Sequence, residues 1–73
     1  MKESKKDKFV RLAENRTNKV LEMIRLIGNL SNKAVYEYTD SDIEKIFKAI
    51  EMETALAKKQ FTDFGGSEKF KLI

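Results

Sequence analysis

Phe9, Ala13, Arg16, Val20, Met23, Ile27 and Leu30 follow one another at intervals of 4-3-4-3-4-3. Two turns of α-helix take about seven residues, so this spacing sets all of these side chains along one line of a helix. A line of that length suits packing lengthwise against a second helix. Leu12, Ile24 and Leu26 broaden the line beyond the seam of a two-stranded coiled coil. No proline interrupts it, and a helix over about residues 6–28 is predicted.

A second helix announces its own start. Thr39-Asp40-Ser41-Asp42 offers a hydroxyl at the N-cap and carboxylates in the first turn, where the positive end of the helix dipole favours them. Ile43, Ile46, Phe47, Ile50, Thr54, Ala57 and Phe61 then share one face. Lys58 and Lys59 are expected in the last turn, with Gly65-Gly66 ending regular structure. This helix is predicted over about residues 40–61.

The stretch between them, "IRLIGNLSNKAVYEYTD", breaks the periodicity. Gly28 or Asn29 is expected to close the first helix in the left-handed conformation, with Leu30 folding back over the helix end. Ser31-Asn32-Lys33 makes the turn. Tyr36 and Tyr38 alternate in an extended segment, so their rings point the same way. They either lid the closed end of a helix pair or stack on a base or ligand. The fold class is all-α: an antiparallel helical hairpin over residues 1–61 followed by a C-terminal tail, 62–73. With the turn centred near Ala34 and Val35, Ile27 pairs with Ile43, Val20 with Ile50, and Phe9 with Phe61.

Size and composition say what must complete such a hairpin. A domain of 73 residues buries only roughly 60% of its unfolded surface, which leaves it marginal. Disulfides or a metal are the common remedies, but the chain has no Cys and no His. No cofactor or metal is expected, and dimerisation or a partner remains. Helix two carries Ala49, Met52 and Leu56 off its main stripe, and helix one carries Leu21. These are protein-interface candidates. A symmetric dimer forming a four-helix bundle is the simplest occupant; a different protein is the other. The tail adds Phe70 and Leu72 as candidates, with Phe64 and Ile73. It either folds back near Phe9 and Phe61 or serves as a linear motif, "KFKLI", for another protein. Arg16, a charge inside an apolar line, needs a partner. Glu53 is the candidate, the pair fixing register. Otherwise Arg16 anchors a partner or snorkels to water.

Charge raises a second possibility. Residues 1–30 hold eight Lys/Arg against four Asp/Glu. Lys2, Lys5, Lys6 and Lys8 cluster at the N-terminus, and Arg11, Asn18 and Arg25 repeat every seven residues with Lys19 beside them. Such a row can track a phosphate backbone. Glu14 and Glu22 lie on the same side and are expected to contact Arg11 and Arg25, which dilutes the field. No helix-turn-helix spacing, RNA-binding aromatic motif or zinc finger is present. Catalysis is not expected, because there is no His, Cys or Gly-rich phosphate loop and two helices offer little concave volume. A basic start with no apolar signal core, and no apolar run near the roughly 20 residues of a membrane span, suggests a cytoplasmic protein without membrane contact.

Residues 8–61, above all "IRLIGNLSN" (24–32) followed by "YEYT" (36–39), resemble small helical proteins of Gram-positive bacteria and their plasmids, conjugative elements and phages. The resemblance implies a bacterial accessory protein tied to element maintenance or regulation and carries no assigned activity or site residue. The function expected is a protein-binding module, an adaptor or inhibitor. A nucleic-acid-binding accessory is the alternative.

Overall fold

Ser4 sets the start of the first helix, α1 (Lys5–Gly28). Its Oγ accepts the Asp7 backbone N–H at 3.0 Å, satisfying a donor that a helix leaves unpaired in its first turn. Asp7 is also the acid of that turn and offsets Lys5 and Lys6, whose charges oppose the helix dipole. The computed structural model describes residues 2–65, with side chains described through residue 62.

The end of α1 differs from expectation. Gly28 (φ −60°, ψ −30°) and Asn29 (φ −67°, ψ −13°) are both right-handed. The helix tightens into a 3-10 turn, Asn29–Ser31, a frequent way for a helix to run out. The chain leaves it at Asn32, whose ψ of 101° is extended. Asn32 then builds the turn: its Oδ1 accepts the Ala34 N–H at 3.0 Å, and its carbonyl accepts Val35 and Tyr36 N–H at 3.0 and 2.9 Å. A short amide side chain bonding two residues ahead is the usual reason for Asn at a turn. Leu30 sits in the 3-10 turn and remains exposed, so it does not fold over the helix end as expected.

The second helix, α2 (Asp40–Gly65), begins where the sequence places it. The Asp42 N–H donates to Thr39 Oγ1 at 3.1 Å, and the Thr39 N–H donates back to Asp42 Oδ2 at 2.9 Å. This reciprocal pair is a capping box with Asp in the place usually held by Glu. The helix runs on to Gly65, past the expected end near residue 61. Lys58 and Lys59 therefore lie inside it, and no basic residue occupies its last turn. The Thr54 hydroxyl donates to the Ile50 carbonyl at 2.8 Å. That bond satisfies the one polar group of the stripe on its own helix.

The element order, α1, 3-10 turn, α2, with no strand among the described residues, is the one an all-α helical hairpin requires. The chain divides into two units, Met1–Glu37 carrying α1 and Tyr38–Ile73 carrying α2. Among the described residues no side chain is fully buried. On α1 the most covered are Leu12, Ala13, Ile24 and Ile27; on α2, Ile43 and Ile50. Phe70 and Leu72 lie outside the described residues.

An ideal Cβ built on Gly28 meets nothing within 4 Å, and the backbone there is helical. Gly28→Ala is therefore expected to stabilise the fold by about 1 kcal/mol, seen as a higher midpoint in thermal circular dichroism. A lower midpoint would mean that Gly28 needs the left-handed conformation after all.

Candidate interaction surfaces

Because α1 and α2 are regular, each sequence position has a fixed direction around its helix axis. The α1 seam is edged by cations: Lys8 and Lys19 on one side, Lys6 on the other, and Arg16 within it. Asp42 and Glu53 edge the α2 seam on one side, and Glu44 and Glu51 on the other, with Lys58 the exception. Phe9, Val20 and Met23 on α1 and Phe61 on α2 are all more than half exposed, Phe61 at 69%. Each helix thus offers a long apolar line with a border mostly of one sign, and the signs are opposite. Arg16 and Glu53 are both exposed, one in each unit.

The off-seam apolar residues of α2 form a line of their own. Lys45, Ala49, Met52, Leu56 and Lys59 are spaced 4-3-4-3, and they run down the helix roughly opposite the main seam. Met52 and Leu56 are 58% and 57% exposed. Lys48 lies beside Met52 and Glu53 beside Ala49. The candidates Ala49, Met52 and Leu56 are therefore brought together on one strip of one helix. Leu21 belongs to the other unit, on the flank of α1. The same line continues to Asp42 one turn before Lys45 and to Asp63 one turn after Lys59, charged positions that a search for apolar residues alone passes over.

The basic row divides differently. Arg11, Asn18 and Arg25 do share the outer face of α1, with Lys19 at its margin, and all are exposed. Lys5, Lys6 and Lys8 lie in the first turn of α1, which starts one residue before the predicted start near residue 6. Arg11 is already engaged. Its Nε and Nη2 donate to the two Glu3 carboxylate oxygens at 2.7 and 3.0 Å. This corrects the expected contact with Glu14; nor does an ion pair within 4.0 Å join Glu22 to Arg25 among the described residues. A bidentate fork is geometrically better than a contact between neighbours on one helix face. Glu3 stands just before the cap, free of the helix, and so can swing into that geometry. The signal that would have found this cap is Ser4-Lys5-Lys6-Asp7, a hydroxyl three residues ahead of a carboxylate.

Open depressions follow the same outer face, lined by Lys6, Asp7, Val10, Arg11 and Glu14 and, further on, by Asn18, Lys19, Glu22 and Met23. Their linings alternate in sign, so they concentrate no field for a single charged ligand. Among the described residues no group of three or more Asp or Glu is arranged to hold a metal ion. No helix of the described residues is long and apolar enough to cross a membrane. Comparison with protein-family models, curated proteins and solved structures gives no match.

The hydrogen bond from Arg11 holds the Glu3 carboxyl below the ordinary glutamate value of 4.5 and raises the Arg11 guanidinium. A lowered carboxylate pKa means that its stabilising contribution is present above the ordinary value. It is lost as pH falls through the lowered one. A carboxyl-detected NMR titration is expected to place the Glu3 midpoint below 4.5. In Arg11→Ala it should return to the ordinary value; an unchanged midpoint would show that the fork does not form in solution.

Proposed function

We propose that this chain is a small helical protein-interaction module that assembles through its charge-matched seams and keeps a second strip for another protein. The observation that carries the reading is α2 itself, with apolar lines on opposite sides. One helix packed along one seam covers one of those lines only. A lone apolar side chain on a surface is ordinary, but a line of them at helical spacing is what an interface presents.

The borders support pairing of α1 with α2. Flanking charges choose partner and orientation when helices pack lengthwise. Two α1 seams would set cations against cations, and two α2 seams carboxylates against carboxylates. Arg16 beside Glu53 adds a register-fixing pair in the antiparallel arrangement. Such a pair, rather than a bare guanidinium, is what an apolar line tolerates. A second copy completes the bundle through the seam flanks. The role is that of an adaptor or inhibitor rather than an enzyme, acting in the cytoplasm. The resemblance of residues 8–61 to small proteins of Gram-positive bacteria and their mobile elements supports an accessory role in the maintenance or regulation of such an element.

The nucleic-acid reading loses support at Arg11, whose donors are shared with Glu3. Phosphate contacts weaken steeply with salt, so an electrophoretic shift of generic duplex at low salt is its test. No shift is expected. For the module, Met52→Asp with Leu56→Asp is expected to leave helix content and mass in solution unchanged. Ile50→Asp, in the seam, should lower both helix content and midpoint. If the Met52/Leu56 pair of changes alters the mass, that strip belongs to the assembly and is not held in reserve.

A further inference from the structure

We propose that a second copy of this chain docks on one flank of the paired seams, the flank made by Leu12, Lys19 and Leu26 of α1 with Ile46 and Glu53 of α2. The inference rests on the seam-pairing reading and adds which flank the second copy takes and what sets its orientation. Residues seven apart share a direction around a helix, so Leu12, Lys19 and Leu26 line one edge of the α1 seam, and Ile46, Glu53 and Gln60 one edge of the α2 seam. With Val20 set on Ile50 and the helices antiparallel, these two edges border the same side of the seam. Leu26 is 48% and Ile46 37% exposed, and Leu12 is half-buried. The opposite side takes Val10, Thr17 and Ile24 from α1 but Glu44, Glu51 and Lys58 from α2. Only the first side is apolar on both helices, which is what a second layer of a four-helix bundle packs against.

Charge then decides how the copies lie. On this flank and the row just outside it, α1 carries Lys5, Lys8 and Lys19 against Glu22. There α2 carries Asp42 and Glu53 and no lysine among the described side chains; Lys45 and Lys59 lie further round the helix. Laying α1 on the partner's α1 opposes lysine-bearing flanks, and α2 on α2 opposes carboxylates. Laying each α1 on the partner's α2 sets opposite signs together. A two-fold axis parallel to the helices achieves this at both contacts and closes the assembly at two copies. It also keeps the copies level, so the seam register carries over. Lys19 then falls beside the partner's Glu53, and Leu26 beside the partner's Ile46. Arg16 engages Glu53 of its own chain in the seam pairing, and a carboxylate can accept from both cations. A charged layer between apolar ones sets register and copy number more than it adds strength.

The test uses the full chain. Light scattering is expected to give twice the chain mass of 8.5 kDa. Lys19→Glu alone and Glu53→Lys alone each oppose like charges at both contacts between copies, and each should weaken the dimer about tenfold or more. An equimolar mixture of the two variants should dimerise more tightly than either by itself, because both contacts between unlike chains again join opposite charges. Misfolding of a variant cannot produce that gain. A monomeric parent chain, an unchanged dimer in both variants, or no gain on mixing overturns the inference. If it fails while a chain with Val20→Cys and Ile50→Cys still forms a disulfide between those positions, the seam pairing stands and only the docking flank is refuted. If that disulfide is also lost, the pairing beneath the inference has failed.

Discussion

An apolar line on a helix is a debt to solvent that the helix alone cannot discharge. Covering one large aliphatic or aromatic side chain is worth about 1.5–3 kcal/mol. An isolated helix in water gains little from its backbone once nucleation is counted. Both helices of this chain carry such lines, and among the described residues none of their side chains is fully buried. In the proposed assembly, stability comes from laying one line on another. With no cysteine and no histidine, the chain has neither a disulfide nor a His- or Cys-based metal site to fall back on. Seam pairing is the interaction on which the proposed assembly depends.

Local chemistry supplies the boundaries that make such pairing feasible. Both helices begin at a hydroxyl followed three residues later by aspartate, Ser4 with Asp7 and Thr39 with Asp42. Each cap is worth about 1 kcal/mol, and each fixes where its apolar line starts. Asn32 does the same for the connector, bonding forward to Ala34, Val35 and Tyr36. These bonds are short in sequence and form without tertiary help. They deliver two helices of 24 and 26 residues, each with its apolar line set from a fixed start.

What the sequence disclosed follows from the range of the forces involved. The two helices and the Thr39 start are legible because periodicity and capping act within a few residues; the turn expected at Ser31-Asn32-Lys33 falls instead at residues 33–35, because Ser31 still belongs to the 3-10 turn. The close of α1 is not legible, because Gly28 suits a left-handed stop equally well as the right-handed step into a 3-10 turn that it takes. Nothing local to it decides between them. Lysines at positions 58 and 59 suit a dipole-favoured last turn and point to an end near residue 61, yet the helix runs on to Gly65. Helix-neighbour rules point Arg11 to Glu14, whereas Glu3, outside the helix, forms the fork. Of the candidate surfaces, the Ala49, Met52 and Leu56 cluster was legible from spacing. The sign of the charges bordering each line emerges only when every position is set around its helix axis.

Because the chain has no cysteine of its own, oxidative cross-linking reports directly on which seams meet. The chain carrying Val20→Cys and Ile50→Cys together is the informative one, with each single change beside it. Pairing of α1 with α2 requires a disulfide joining positions 20 and 50, within one copy or between two, and little linkage in either single variant. Efficient linkage of two copies through Val20→Cys alone would mean that α1 lies on α1 despite its cations, and the charge-matched seams would have to be abandoned.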